Sequence, residues 1–272
     1  MKRLSYIITL TSLSLLFSCK TGLKDNTKIE YITEPITEAQ SRAERISVPN
    51  QKQRVRGEWI ILNSSGKAID AMDERAYINF SPREGKIYGF TGCNYINGDF
   101  NIENNDNIEF SNIITTTRHC DAISDENNIL NALGTASKFI IYKKSDLYFM
   151  DLEDAAGKRI MHTKRHNADV LTGVWKINTI HGKNVSNQEI DLVIDIPELK
   201  LYGNLGCNRL NGTIGLDRNK DWFIQFYSIT STNNNCNDTA LNLERDLLIA
   251  LEEVEYIDRK DHNNVRLLDK DK

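Results

Sequence analysis

The stretch GFTGCNYINGDF, residues 89–100, returns in altered form as GNLGCNRLNGTI, residues 203–214. Both versions contain Gly-Cys-Asn-x-x-Asn-Gly, and other landmarks repeat in the same order around them. The repeated landmarks are Trp59 and Trp175, Cys93 and Cys207, and Cys120 and Cys236. The members of each pair lie nearly the same distance apart in the chain, and small changes of spacing are typical of loop insertions. The sequence therefore contains two copies of one module.

The two copies span residues 57–165 and 173–272, and the segment MHTKRHNADVLTG, residues 161–173, contains the join. Because this segment has no run of glycine or proline, it does not read as a long flexible linker, and the modules are free to pack together. A chain of 272 residues with 40% hydrophobic content can bury two small cores.

Short segments of alternating apolar and polar residues dominate each copy and predict half-buried β-strands. In the first copy these segments are WIILN, AYINF, KIYGF, NIEFSNI, KFIIY and DLYFMDL. The pairs Asn97-Gly98 and Asn211-Gly212 predict tight hairpin turns, because both residue types tolerate the positive φ that a type I′ turn requires.

One amphipathic helix is predicted in each copy, just after its second cysteine. The apolar stripes are Ile129, Leu130, Leu133 and Ala136 in the first copy, and Leu243, Leu247, Leu251 and Val254 in the second. Such a stripe is typical of a helix that covers the open side of a curved sheet. The predicted fold class is mainly β with one helix per module (α+β).

The N-terminus MKRLSYIITLTSLSLLFSCK has the basic start, apolar run and small residue before Cys19 that characterise a secretory leader. The apolar run is short for a membrane span of roughly 20 residues. Residues 1–18 resemble a bacterial lipoprotein leader, which has a leucine, here Leu16, three residues before the modified cysteine. The resemblance implies that Cys19 carries a diacylglycerol and a further acyl chain such as palmitate. The alternative is an ordinary cleaved leader with an incidental cysteine.

The segment between the leader and the first copy is polar and charged, without a sustained apolar period. Residues 19–56 are therefore interpreted as a lipidated N-terminus and a tether that lifts the folded part from the membrane.

Four cysteines remain beyond Cys19, and four cysteines allow three pairings. Pairing within each copy, Cys93 with Cys120 and Cys207 with Cys236, is preferred because each pair lies inside one repeat. Disulfides persist in the oxidising compartments that exported proteins reach. The alternative is that all four are buried free thiols, since cysteine often packs as a small apolar residue.

The order of these elements resembles the META domain family of HslJ-like heat-inducible bacterial lipoproteins. The resemblance rests on Gly-x-Trp, Gly-Cys-Asn-x-x-Asn-Gly, Thr-Thr-Arg-x-Cys, a helix led by glutamate and two final strands. It covers nearly all of both copies. It implies tandem, partly open antiparallel β-barrels with a helix across each, an envelope location and no established catalytic residues.

The copies are not equal. The first has TTTRHC, residues 115–120, whereas the second has TSTNNNC, residues 230–236, which is one residue longer and lacks a counterpart of Arg118. The second copy also lacks a counterpart of the strand-like RIMHTK, residues 159–164. The expectation is that the neighbouring module completes the second barrel.

Familiar catalytic signatures are absent from the sequence: there is no Gly-x-Ser-x-Gly elbow, phosphate-binding loop, dinucleotide fingerprint or HExxH helix. No catalytic residue and no cofactor is therefore predicted. His162 and His166 have a spacing that can hold a metal on a helix, but two cations lie between them and no third ligand is evident. A solvated join is the preferred interpretation, and no metal site is predicted.

Asn94, Asn208 and Arg118 are the candidate ligand-binding residues. The alternative for the two asparagines is that their side chains satisfy backbone groups at a strand bend, which asparagine does well.

Three functions are compatible with the sequence. The leading hypothesis is a non-enzymatic lipoprotein that is held on the membrane, in the outer membrane if Lys20 sorts it as in enteric lipoproteins, and that supports envelope integrity or stress tolerance. Its partners would be an envelope protein or a lipid. The alternatives are a carrier of a lipid or small apolar molecule in a partly open barrel, and a hydrolase with an unrecognised site. The formal net charge of −4 gives no electrostatic footprint for nucleic acid.

Overall fold

The computed structural model describes residues 6–12, 48–69, 74–118, 120, 123–261 and 263–271. Within them the chain forms two antiparallel sheets, one for each copy of the repeated sequence, and a long helix accompanies each sheet. The predicted fold class, mainly β with a helix in each module, is confirmed. We call the two copies module 1 and module 2.

The first strand in chain order is β1 (Tyr6–Ser12), which belongs to the sheet of module 2. The elements of module 1 are α1 (Gln51–Arg54), β2 (Gly57–Ser64), β3 (Lys67–Ala68), β4 (Tyr77–Ser81), β5 (Lys86–Phe90), β6 (Tyr95–Glu103), β7 (Asn107–Thr115), α2 (Ile123–Thr135), β8 (Lys138–Lys144), β9 (Leu147–Glu153) and β10 (Arg159–Lys164). A 3-10 helix, η1 (Asn167–Leu171), connects the modules. We call residues 165–172, between β10 and β11, the join.

The remaining elements of module 2 follow this join. They are β11 (Gly173–Ile180), β12 (Lys183–Asn184), β13 (Asp191–Asp195), β14 (Lys200–Asn204), β15 (Arg209–Gly215), β16 (Gln225–Ser231), α3 (Asp238–Glu253), β17 (Tyr256–Arg259) and β18 (Asn264–Leu268).

Module 1 closes its sheet with its own last strand. The strand order is β2-β4-β5-β6-β7-β8-β9-β10, and β10 pairs with β2 as well as with β9. The ring is weakest between β7 and β8, which pair only at Asn107 and Lys138. Helix α2 contacts β7, and its Leu133 packs with Trp59 and Phe80 in a core where each of the three is at most 2% exposed. Burying a large apolar side chain stabilises a fold by roughly 1.5–3 kcal/mol.

Module 2 builds the same sheet with a strand taken from elsewhere. Strand β1 lies between β11 and β18, antiparallel to both, just as β10 lies between β2 and β9. The registers agree residue by residue, including the position of a β-bulge. Ile8, Thr9, Leu10 and Thr11 take the places of Met161, His162, Thr163 and Lys164. The expectation that the neighbouring module completes the second barrel is therefore wrong, because the N-terminal strand occupies that position.

The two Asn-Gly pairs do not form hairpin turns, so this prediction is also wrong. The chain reverses between β5 and β6 at Thr91–Asn94, where Gly92 has a φ of +94°. Asn97 and Gly98 lie inside β6 at a β-bulge opposite β7. A Cβ atom on Gly98 would lie 3.1 Å from the carbonyl oxygen of Ser111, so glycine permits the close approach of the two strands. The second copy has the same bulge.

The modules pack against each other through a loop of module 2. We call residues 216–224, between β15 and β16, the docking loop. Its Arg218 donates two hydrogen bonds to the carboxylate of Glu58, at 2.7 and 2.5 Å, and stacks 3.7 Å from the ring centroid of Tyr77. Its Asp221 accepts from Lys164 at 2.9 Å. The interface is therefore built largely from ion pairs.

The prediction of an extra residue just before Cys236 is wrong. Thr116 and Arg118 bond Asn94 as Thr232 and Asn234 bond Asn208, so the spacing up to the second cysteine is the same in both copies. The extra residues of module 2 lie in the docking loop, because β6 and β7 are joined by the short turn 104–106 whereas β15 and β16 are joined by residues 216–224.

Candidate functional site

The candidate residue Asn94 lies in a buried network at the turn between β5 and β6, where it is 2% exposed. Its Oδ1 accepts hydrogen bonds from Thr116 Oγ1 at 2.8 Å and from the backbone N–H of Arg118 at 2.6 Å. Its Nδ2 donates to Glu126 Oε1 on α2 at 3.2 Å. Both polar atoms of the Asn94 side chain are thus engaged in hydrogen bonds within the protein. One of these bonds satisfies a backbone N–H group at the bend, which is the alternative to ligand binding.

Module 2 repeats the network around Asn208, which is also 2% exposed. Its Oδ1 accepts from Thr232 Oγ1 and from the backbone N–H of Asn234, both at 2.9 Å, and its Nδ2 donates to Glu244 Oε2 at 2.8 Å. The sequence predicts a helix led by a glutamate in each copy, but this role of Glu126 and Glu244 was not predicted. The available signal was an acidic residue on the apolar stripe of each helix, where a buried carboxylate needs hydrogen-bond donors.

The disulfides join the same turn to the following loop. The Cα atoms of Cys93 and Cys120 are 5.8 Å apart, and those of Cys207 and Cys236 are 6.1 Å apart. The structure thus has the pairing within each copy that sequence spacing favours. Cys19, the predicted lipidation site, lies outside the described residues.

Arg118 plays two separate parts. Its backbone N–H belongs to the Asn94 network, whereas its guanidinium is exposed and lies 5.4 Å from the ring centroid of Tyr95. In module 2 Asn234 takes the backbone part and lacks the cation. The structure therefore does not bring Asn94 and the Arg118 side chain together as one open site.

A different feature offers an accessible site: a cleft of about 1160 Å³ between the two modules. Its walls come from α1 and the β4–β5 and β8–β9 turns of module 1, from the join, and from the β13–β14 turn of module 2. The cationic residues that line it are Lys52, Arg54, Arg56, Arg83, Lys143, Arg165 and Arg259, and the acidic ones are Asp146, Asp169 and Glu198. The cleft is therefore positive in a chain whose net charge is negative.

Only some of these cations are neutralised by acidic partners. Arg56 forms ion pairs with Asp195 and Glu198, and Arg259 pairs with Asp146. By contrast, Lys52 donates to the backbone oxygen of Ile102, and Arg54 to the backbone oxygen of Pro49 and to the hydroxyl of Tyr148. Arg83 is exposed and makes no hydrogen bond or ion pair with the part of the chain that the structure describes.

Arg165 forms the floor of the cleft. Its guanidinium lies 4.2 Å from the ring centroid of Trp59 and donates to the backbone oxygens of Arg54 and Arg56. Burial lowers the pKa of Arg165, although a guanidinium stays charged in proteins. Burial raises the pKa of Asp169, because it disfavours the charged carboxylate, and the charge of Arg165 opposes that rise.

Titratable groups with shifted pKa values cluster where the docking loop meets the join, but their atoms are engaged. His166 Nε2 donates to the backbone oxygens of Lys220 and Asp217, at 2.9 and 3.1 Å, and its Nδ1 accepts from the backbone N–H of Ala168 at 3.1 Å. These partners assign the neutral tautomer with the proton on Nε2. Burial lowers the pKa of His166. A ring held by both nitrogens is not poised to act as a general base.

The described residues hold neither a cluster of metal-binding side chains nor a helix suited to span a membrane. They contain no group of three or more histidine, cysteine or acidic side chains arranged to hold a metal ion. His162, in strand β10, has its Nδ1 2.6 Å from Asp151 Oδ1, whereas His166 contacts the docking loop, so the two do not form a pair on a helix. No helix in the described ranges has the length and apolar character needed to cross a membrane.

The fold and the buried networks define a class of protein: two small antiparallel barrels in tandem, each with a helix tied to a disulfide-linked turn. The chain belongs to the META domain family, whose profile matches residues 52–167 and 168–272. One similar solved structure is the NMR structure of a protein from Burkholderia xenovorans, with 17% identity and a TM-score of 0.37 over 53% of this chain and 99% of that one. No curated protein matches the chain.

Proposed function

We propose that the protein is a non-enzymatic lipoprotein of the bacterial envelope that binds an anionic, phosphate-bearing envelope component in the cleft between its modules. The leader-like residues 1–18, with Leu16 three residues before Cys19, support the proposed lipid anchor. Binding of this kind would support envelope integrity or stress tolerance, as the family resemblance suggests.

The positive cleft is the observation that carries the binding role. Lys52, Arg54 and Arg83 place three charges in its lining that pair with no carboxylate of the described residues, and Arg165 adds a buried charge. Guanidinium groups recognise phosphate through paired hydrogen bonds, and a cleft lined by one sign of charge concentrates ligands of the other sign.

The carrier alternative has less support, because the inner side of module 1 is filled. Trp59, Phe80 and Phe90 are 0%, 2% and 8% exposed. The stripe of α2 completes this packing with Ile129 and Leu133, which are at most 1% exposed. An apolar ligand would need to displace these side chains. The hydrolase alternative gains no support from the buried His166, because both nitrogens of its ring are engaged in hydrogen bonds.

The anchor is tested by Cys19→Ala. The acyl chains rather than an apolar span are expected to hold the protein, so the variant should leave the detergent-rich phase on phase separation. A variant that stays with the membrane fraction would overturn the lipoprotein assignment.

The cleft is tested on the full-length protein in detergent, with tripolyphosphate and a short-chain phosphatidylglycerol as separate probes in calorimetry. Arg83→Glu should weaken binding about tenfold, which corresponds to roughly 1.4 kcal/mol. Arg245→Glu is the matched control, because this exposed arginine of α3 does not line the cleft. Equal affinities of both variants would exclude the cleft as the site. Binding of the phospholipid alone would identify a headgroup ligand, and binding of both probes a general phosphate site.

A further inference from the structure

The turn between β13 and β14 holds a leucine in a backbone conformation that leucine rarely adopts. Leu199 has a φ of +52°, in the left-handed region, where the Cβ atom of an ordinary residue lies too close to the following carbonyl oxygen. The other described non-glycine residues with positive φ are asparagines, serines, an aspartate and a histidine, and none of them is apolar. Leu199 therefore strains the turn in which it lies.

Module 1 has a glycine at the equivalent position. Gly85, in the turn between β4 and β5, has a φ of +64°. Its carbonyl oxygen accepts a hydrogen bond from the backbone N–H of Phe100 at 2.9 Å, just as that of Leu199 accepts one from Ile214 at 2.9 Å. Glycine adopts this conformation without steric cost. The turn thus needs only the backbone of this residue, and its formation does not explain the leucine side chain.

Burial in the core does not explain the side chain either. Leu199 is 40% exposed, and it lines the cleft between the modules. Residues held in sparsely populated backbone conformations cluster at active sites and ligand contacts, where the surrounding structure enforces the strain. A strained leucine that is open to the cleft is therefore suited to contact a ligand there.

The cleft also has room for more than a phosphate group. Its volume is about 1160 Å³, whereas pockets that hold a whole drug-sized ligand measure roughly 300–1,000 Å³. Pro197 of the same turn and Val170 of the join line it as well, and both side chains are half-buried. Module 2 and the join thus contribute accessible apolar surface to the cleft.

The charges of the cleft are unevenly distributed. Where the cleft borders module 2, Arg56 pairs with Asp195 and Glu198, and Arg259 pairs with Asp146. The three cations that pair with no carboxylate of the described residues belong to module 1, in α1 and in the turn between β4 and β5. The cleft therefore has a positive side on module 1 and a charge-balanced, partly apolar side on module 2.

We propose that the ligand of the cleft is a phospholipid, whose phosphate contacts the positive side and whose acyl chain contacts Leu199. This inference rests on the proposed function, because it assigns the ligand of the same cleft. Contact with an acyl chain removes the exposed apolar surface of Leu199 from water, and this gain exists only in the complex. Leu199 thus strains the free protein and strengthens its binding of a lipid, as residues at functional sites often do.

Calorimetry on the full-length protein in a non-ionic detergent tests the proposal with two probes that share one headgroup. The probes are a short-chain phosphatidylglycerol and glycerophosphoglycerol, which lacks the acyl chains. The wild type should bind the phospholipid more tightly than the headgroup. Leu199→Gly should weaken binding of the phospholipid about fivefold, because apolar contact is lost, and should leave binding of the headgroup unchanged. Leu241→Ala is the control, because this leucine of α3 is 42% exposed and does not line the cleft.

The outcomes separate this proposal from the proposed function. If Leu199→Gly and the wild type bind the phospholipid equally, the lipid assignment is overturned, while binding of the headgroup would still support a phosphate site. If the wild type binds neither probe, the proposed function itself fails, and the lipid assignment with it.

A purely structural role of Leu199 predicts a different result. Since the turn needs only the backbone at this position, the urea midpoint of Leu199→Gly should not fall below that of the wild type. A lower midpoint would show that the side chain serves the fold and would overturn the proposal. If Leu199→Gly does not fold, Leu199→Asn decides, because asparagine tolerates the left-handed region and lacks the apolar side chain. Leu199→Met should retain the affinity for the phospholipid, and a loss as large as that of the other variants would overturn the apolar contact.

Discussion

Module 1 and module 2 share one buried network and one strand order, yet they differ in how each sheet is closed and in what each offers its neighbour. Module 1 closes with β10, which follows directly in its own chain, whereas module 2 uses β1 from the N-terminal end. Module 2 in turn carries the longer docking loop that reaches module 1. The repeated motif therefore specifies the turn, the disulfide and the hydrogen bonds from Asn94 or Asn208 to the glutamate of the helix, which we call the helix lock. Closure of each sheet and docking of the two modules depend on residues outside the motif.

The largest expected effect comes from separating the modules. A fragment of residues 48–167 should unfold cooperatively, because its sheet is complete. A fragment of residues 168–272 lacks β1 and loses the burial of Ile8 and Leu10, roughly 3–6 kcal/mol, a large part of the stability of a small domain. Urea unfolding followed by circular dichroism measures both. Fusing YIITLTS to the second fragment should restore its stability, and equal stability without the fusion would remove the asymmetry.

Reduction of the disulfides should affect both modules about equally. The pairs Cys93–Cys120 and Cys207–Cys236 are separated by 27 and 29 residues, so each closes a similar loop in the unfolded chain. The chain-entropy model gives roughly 3–4 kcal/mol for each. Peptide mapping without reductant establishes the pairing, and urea midpoints with and without reductant measure the loss. A bond between the modules, or free thiols at all four positions, would contradict the structure.

The helix lock should be stronger in module 1 than in module 2. Glu126 accepts hydrogen bonds from Thr91 Oγ1 at 2.7 Å, from the backbone N–H of Asn94 at 3.1 Å and from its side chain at 3.2 Å. Glu244 accepts only from Asn208 and Ser231 within the described residues, because Leu205 stands where module 1 has Thr91.

Truncating these acids tests the difference. Glu126→Ala leaves buried donors without an acceptor and should cost roughly 3 kcal/mol, about 1 kcal/mol more than Glu244→Ala. Urea unfolding of the full chain measures both, with the exposed Glu84→Ala as the control. A larger loss for Glu244→Ala would mean that packing of α3, rather than the number of donors, dominates.

Much of the fold of each module could be predicted from the sequence, because the patterns that specify it are local. Alternation predicted the strands, the apolar stripes predicted α2 and α3, and the position of each cysteine pair favoured the observed pairing. The Asn-Gly pairs misled, since the same two residue types serve a hairpin turn and a β-bulge where strands approach closely.

The rest depends on contacts between distant segments. Nothing in the local pattern of residues 6–12 indicates a partner more than 160 residues away, and an apolar leader and an apolar strand have similar composition. The cleft unites arginines and lysines from several loops, and their proximity follows only from the packing of the modules. The sequence alone predicts that loop residues such as Arg218 are solvated, because it does not show the surface of module 1 that they contact.

The smallest expected effect, a pH dependence, belongs to the contact between the modules. Burial lowers the pKa of His166 in the folded protein, whereas the unfolded side chain titrates near its ordinary value of about 6.5. Below that value the unfolded chain binds a proton that the folded chain does not, so the free energy of unfolding falls as the pH drops from 7.5 to 5. The limit is about 1.4 kcal/mol per pH unit. Protonation must also break the bond from the Ala168 N–H to Nδ1.

His166→Asn keeps an acceptor for that N–H but does not titrate, so its urea midpoint should change less between pH 7.5 and 5 than that of the wild type. His181→Asn is the matched control, because His181 is exposed and lies on module 2 away from the docking loop. It should retain the wild-type pH dependence. If both variants keep the full dependence, the modules remain docked regardless of the charge on His166, and the ion pairs of Arg218 and Asp221 hold the interface without it.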